Sequence, residues 1–367
     1  MARSFVDCAK QLGLSDEVKK YLAGDLDIDD VTLRSLGEKH REAMNKKYQA
    51  ELDVIAVARM DDALEAYRGD TRAAARAFLT MDDMRTGQAG VEQQIAATTS
   101  YYMARLNKVF DEADNRTFVK KLWTDGSVED TTFSKNIMRE LRGTGTGDAN
   151  AAQAARLWRE VAEELRIEYN RAGGFVRRLE DWAMPQRHVA KKMLKATKAN
   201  WMADTDKLLD WDRMGIQPQQ RGEYLDKVYD TIVTNGASKV DMKDVQRMGG
   251  GAKTANKYRE HRQLHFKDAD SWLAYSDKYG DGSVVGSMMD HIQGMSRDLG
   301  LLKTMGTNPE ARFQTLKARV AHEQKLNPLE KVRGTNNIQA VWDNINGIGF
   351  TGRESLETFG AVSRSIA

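Results

Sequence analysis

Two histidines four residues apart, His261 and His265 in the stretch "YREHRQLHFKDADSW" (258–272), are the nearest this chain comes to a ligand pair. On one helix face, imidazoles at that spacing can grip a single metal ion. A zinc-protease helix, however, places a glutamate directly after its first histidine. Here the glutamate, Glu260, precedes His261, and no third ligand is fixed by the spacing. His261 and His265 therefore stand as bare metal candidates, and no metal or other cofactor is expected. A structural reading explains more of the same residues. Asp268 or Asp270 can cap a helix over "ADSWLAYSDKYG", with Trp272, Tyr275 and Tyr279 on one face and Gly280 at its end. The preceding "LHF" then forms a packed corner, and His265 is a hydrogen-bonded corner residue.

Other chemistry is sparse. The remaining histidines, His40, His188, His291 and His322, have no nucleophile motif beside them, and Cys8 has no local activating pattern. Asp290 and His291 are adjacent, so on a helix they diverge by about 100° and cannot act as one dyad. In "GRESLETFGA", Glu354 is followed by Ser355 as in lytic transglycosylases, but the "GLMQ"-like sequence that should follow is missing. "GGGAKT" has alanine where a phosphate-binding loop needs glycine before the lysine, and "GTGTGD" has no aliphatic strand ahead of it. Both read as linkers, and no catalytic residue is assigned. Peptidoglycan cleavage through Glu354 is kept as the competing enzymatic reading.

One stretch carries a local charge pattern. In "PQRHVAKKMLKATKANW", Arg187, Lys191, Lys195 and Lys198 are expected on one face of a helix, with Lys192 nearby and Trp201 at the end. Such a stripe can follow a phosphate backbone, which makes double-stranded DNA a candidate partner. The competing reading is a solvated face neutralised by the following acids Asp204, Asp206, Asp210 and Asp212.

The elements that must carry these residues read as helices. Only four prolines occur, Pro185, Pro218, Pro309 and Pro328, so the first 184 residues hold no position without an amide donor. Pro309 and Pro328 follow Asn308 and Asn327, a pattern that opens helices. Ala154, Leu157, Trp158, Val161, Leu165 and Tyr169 recur at three- and four-residue steps after a capping Asp148 and before Gly173 and Gly174. Long helices are also expected over "EKHREAMNKKYQAELDVIAVARMDDALEAYRG" and "GVEQQIAATTSYYMARLNKVFDEAD". The stripe Val285, Met288, Met289, Ile292, Met295, Leu299 and Leu302 gives another, and most of the seventeen methionines are read as core.

Alternating strand patterns of useful length are missing, so the expected fold is all-α, an elongated multi-helical bundle with two or three subdomains. Glycine-rich punctuation divides it into an N-terminal region 1–142, a central region 148–246 and a C-terminal region 252–367, with further chain expected beyond the end. Charge is nearly balanced, 56 Lys and Arg against 54 Asp and Glu, so no global field favours nucleic acid or an anionic membrane. A single cysteine excludes an internal disulfide and suits a reducing compartment during folding.

From about residue 170 to 310, the order "GGFVRRLEDWAMPQRH", "WDRMG", "YLDKVYDTIVTNGASK" and "REHRQLHFKDADSWLAYSDKYGDGSVVGSMMDHIQGMSRDLGLL" resembles internal virion, or ejection, proteins of short-tailed bacteriophages. The resemblance covers roughly two fifths of the chain and brings no catalytic assignment. It implies a structural protein located in the virion, assembling as a ring-like homo-oligomer with portal or tail proteins during genome ejection.

Overall fold

The computed structural model describes residues 30–68, 70–80, 85–112, 132–178, 182–234, 254–256, 264–280, 283–323 and 328–346. Every regular element among them is helical, and the one ladder contact is an isolated antiparallel bridge between Leu209 and Phe266. The fold is all-α.

The helices are α1 (Asp30–Ala66), α2 (Thr71–Leu79), α3 (Val91–Glu112), α4 (Thr132–Leu141), α5 (Ala149–Arg171), α6 (Ala190–Ala196) and α7 (Lys198–Leu208). They continue as α8 (Trp211–Met214), α9 (Arg221–Val233), α10 (Ala269–Tyr279), α11 (Val284–Met305), α12 (Pro309–Glu323) and α13 (Pro328–Ile345). Local sequence explains most of the starts. Asp70, Asp148 and Asp268 accept from backbone N–H groups three residues on, at 2.9, 3.0 and 2.7 Å. Ser283 and Asn308 do the same for α11 and α12 at 2.9 and 3.2 Å. Each such cap is worth about 1 kcal/mol. Pro309 and Pro328 are the first residues of α12 and α13, while Asn327 lies outside the described residues. Helix α5 stops where Gly173 turns to φ 98° and the Gly174 N–H returns to the Tyr169 carbonyl.

The described residues form two apolar cores, and α11 serves both. Its Val285, Met288, Ile292, Met295, Leu299 and Leu302 join Trp158, Leu165, Tyr169, Trp201, Phe266, Trp272 and Tyr275 in the first. Its Leu301 and Met305 join Met60, Phe78, Leu79, Phe313 and Trp342 in the second, where Phe313 and Trp342 stack with centroids 4.5 Å apart. The first core draws residues from all three segments marked out by the glycine-rich stretches. Helix α11 packs most extensively on α3, and Gly300 is what lets the two backbones meet: a Cβ there would lie 2.9 Å from the Ile95 nitrogen and 3.0 Å from its Cα.

The glycine-rich connector between α4 and α5 is held in place. The Glu140 carboxylate accepts from the Thr146 N–H and hydroxyl at 2.6 and 2.5 Å, and those bonds hold its carboxyl below the usual range. Another tie fastens α1 to the turn after α11, through Asp53 and the fully buried Thr307.

Candidate functional site

The basic stretch at 187–201 is not one helix face. Arg187 lies in extended chain before α6 begins at Ala190, and α6 ends at Thr197, whose φ of 72° places a β-branched residue in the left-handed region. Such backbone costs on the order of 1–3 kcal/mol and persists where surroundings enforce it. Chain direction therefore changes between Lys195 and Lys198, and the expected single stripe is corrected to two short segments.

Most of the cations are spoken for. Arg187 pairs with Asp290 of α11. Lys192 donates to the Gly280 carbonyl at 2.7 Å, closing the C-terminal end of α10. Cationic groups are favoured there by the helix dipole. Lys198 sits 2.5 Å from Asp226 and 2.9 Å from Asp230 of α9, and hydrogen bonds to those carboxylates push its ammonium above its ordinary value. Lys191 and Lys195 are exposed and enter no ion pair among the described residues. Neutralisation thus comes from α9 and α11, not from the acidic run after Trp201. Within that run Asp204 instead accepts from Lys278 at 2.5 Å and the Tyr279 hydroxyl at 2.6 Å, and both bonds hold its carboxyl down. Asp210 caps α8 through the Arg213 N–H.

Trp201 is fully buried, so it cannot stack on a base. Its indole N–H donates to the Tyr275 hydroxyl, which also meets His188 Nδ1 at 2.8 Å. Burial pushes the Tyr275 hydroxyl up, so it keeps its proton. This network ties α7 and α10 to the 182–188 segment.

Of the other histidines, His265 and His291 hold structural positions. His261 lies outside the described residues, as do Glu354 and Cys8. His265 sits at the corner ahead of α10, where its carbonyl accepts from the Asp210 N–H at 2.8 Å. Of the two expected caps for that helix, Asp268 is the one used, and Asp270 pairs with Arg139 at 2.8 Å. His291 packs against Trp158 and Trp182, at centroid distances of 5.9 and 5.2 Å, while its neighbour Asp290 turns to Arg187. Burial pushes the His291 imidazole down to about 4. Among the described residues no three of His, Cys, Asp and Glu converge as a metal set.

Open clefts also occur among the described residues, two of them of similar size. One, of about 420 Å³, lies between the 182–188 segment and α9, with Trp182, His188, Tyr224 and Ile232 in its wall. The other, of about 510 Å³, runs beneath α1 beside Ile55, Arg59, Glu168, Arg171 and Lys303. It borders the feature that sequence reading missed. Met44, Tyr48, Val54 and Ile55 of α1 are exposed by 45, 41, 69 and 48%, an uncovered apolar face on a long helix. The signal was there in "LDVIAV", where apolar residues surround the helix instead of keeping to one stripe.

Compared with known proteins, the chain matches no family model, no curated protein and no solved structure. Among the described residues, no helix is long and apolar enough to cross a membrane.

Proposed function

We propose that the chain is a structural protein of a bacteriophage particle, packaged internally and assembling with itself and with portal or tail components during genome ejection. The phage half of this reading rests on the resemblance of residues 170–310 to ejection proteins. The assembly half rests on one observation: the solvent face of α1 leaves Val54 and Ile55 side by side in water. Neighbouring exposed apolar side chains on a long helix favour an interaction surface there. The action is helix-face association and repacking between a stored and a released arrangement, with no bond made or broken.

The test is to purify particles, identify the chain in them by mass spectrometry and locate it by electron microscopy. Density at the portal vertex or inside the capsid is expected. Absence from washed particles would end the phage reading.

A DNA-organising role has a narrower basis, the exposed Lys191 and Lys195 of α6. Two cations neutralise about two phosphates, so binding should weaken with a log–log salt slope near −2 and be lost in the Lys191→Glu, Lys195→Glu double variant. Binding that ignores both salt and the substitutions would remove this role. For the peptidoglycan reading, equal activity on sacculi from the parent and Glu354→Gln would remove Glu354.

A further inference from the structure

Helix α1 meets the body along a narrow stripe, with Gln49, Ala56, Met60 and Ala63 buried. The opposite side carries Met44, Lys47, Glu51, Val54, Ala58 and Asp62, all exposed and spaced by three or four residues. Steps of three and four alternate from Met44 to Ala58 as along the seam of a two-helix contact, with Asp62 one position past the next seam residue. Val54 lies in the middle of this side and the exposed Ile55 on its flank, at the edge of the cleft beneath α1, while the cation Lys47 lies seven residues before Val54 and the anion Asp62 seven after Ile55.

That order is self-complementary under a two-fold axis. Laid antiparallel about a point between residues 54 and 55, two copies put Val54 against the second copy's Ile55. The same placement puts Lys47 against the second copy's Asp62, twice by symmetry. A parallel pairing would set Lys47 on Lys47 and Asp62 on Asp62, so charge selects the antiparallel arrangement. A contact in which the same patch serves both subunits is isologous, the commonest kind between identical chains.

We infer that the solvent face of α1 is a homotypic docking surface, and that its occupant is the same helix of a second copy, antiparallel and in this register. The inference rests on the self-assembly reading above and narrows it to one surface. Lys47 to Asp62 spans fifteen residues, about 22 Å of helix, so a single such pair is a modest contact and the dimer is expected to be concentration-dependent. An isologous pair closes on itself; a ring needs another surface, and the α1 contact would then join neighbouring subunits or two rings.

The experiment is sedimentation velocity on the full chain from about 1 µM to about 1 mM, with folding of each variant checked by circular dichroism. Lys47→Asp alone and Asp62→Lys alone should each weaken dimerisation by about tenfold, and the double exchange should restore it. In a Cys8→Ser background, Val54→Cys should form a disulfide-linked dimer under mild oxidation, while Tyr101→Cys, exposed elsewhere, should not. Dimers indifferent to the charge exchanges, with no Val54→Cys cross-link, would overturn this surface and leave self-assembly standing. A strict monomer throughout would overturn both.

Discussion

Trp201 and Tyr275 come from helices 74 residues apart in sequence, and the indole N–H of one donates to the hydroxyl of the other across 3.1 Å in the interior. The same hydroxyl engages the half-buried His188 ring, so a single oxygen links groups on two different segments. In Tyr275→Phe the buried Trp201 N–H loses its acceptor, with little change in packing volume. Leaving a buried donor unsatisfied costs about 1–3 kcal/mol, and chemical denaturation should show a loss of that size. A loss near zero would mean that water replaces the hydroxyl.

The Asp53 carboxylate accepts from both the backbone N–H and the hydroxyl of Thr307, at 2.7 and 2.8 Å, and the Asp53 carbonyl accepts from Arg312 at 3.2 Å. This joint fixes α1 on the turn between α11 and α12. Asp53→Ala should strand two donors at a site where Thr307 has no water contact, costing about 2–4 kcal/mol, since hydrogen bonds to charged groups are the stronger kind. Amide hydrogen exchange should show protection lost first in α1. Uniform loss across all helices would place the effect elsewhere.

How far the sequence revealed this arrangement depends on the range of the forces involved. The helical class was legible because proline is scarce and because Asp148, Asp268 and Asn308 cap helices through atoms only three residues away. The methionine stripe of α11 was legible for the same reason, as burial follows local periodicity. The basic stretch was misread where local rules yield to tertiary contacts. Nothing in "KATKANW" signals a left-handed residue, yet Thr197 adopts one between a Lys192 anchored on α10 and a Trp201 sunk in the core. Arg187 finds its carboxylate 103 residues away, which no spacing rule anticipates. The α1 face was overlooked because a helix that is apolar on several sides looks the same whether a neighbouring helix or another molecule covers it.

Gly300 sets the separation of α3 and α11. In Gly300→Ala the new methyl would lie 2.6 Å from Ile95 Cγ1 as well as against the Ile95 backbone, so a side-chain rotation alone cannot make room. Alanine's better helix propensity offsets under about 1 kcal/mol of the resulting strain. Overpacking of this kind costs about 1–3 kcal/mol, and the melting temperature should fall. A Gly300→Ala protein melting higher than the parent would show that the two helices slide apart freely.

His291 should give the stability curve a distinct acid limb. Its imidazole, packed on Trp158 and Trp182, titrates near 4, whereas an exposed histidine titrates near 6.5. Between those values the unfolded chain holds the extra proton, so stability is complete above about pH 6.5 and falls as pH drops toward 4. At about 1.4 kcal/mol per pH unit, discounted for the ring's partial exposure, the loss is about 1–3 kcal/mol. Carboxylates held down by partners, such as Asp204 and Asp268, act in the same direction but in a lower window, below their own unfolded values near 4. Asp290, its neighbour in sequence, is paired with Arg187. His291→Phe keeps a ring between the tryptophans and removes the titration. Denaturation midpoints at about pH 7 and about pH 5 should therefore differ clearly in the parent and hardly at all in the variant. Equal slopes in the two proteins would mean that the imidazole takes up its proton while folded, with water reaching it between the rings.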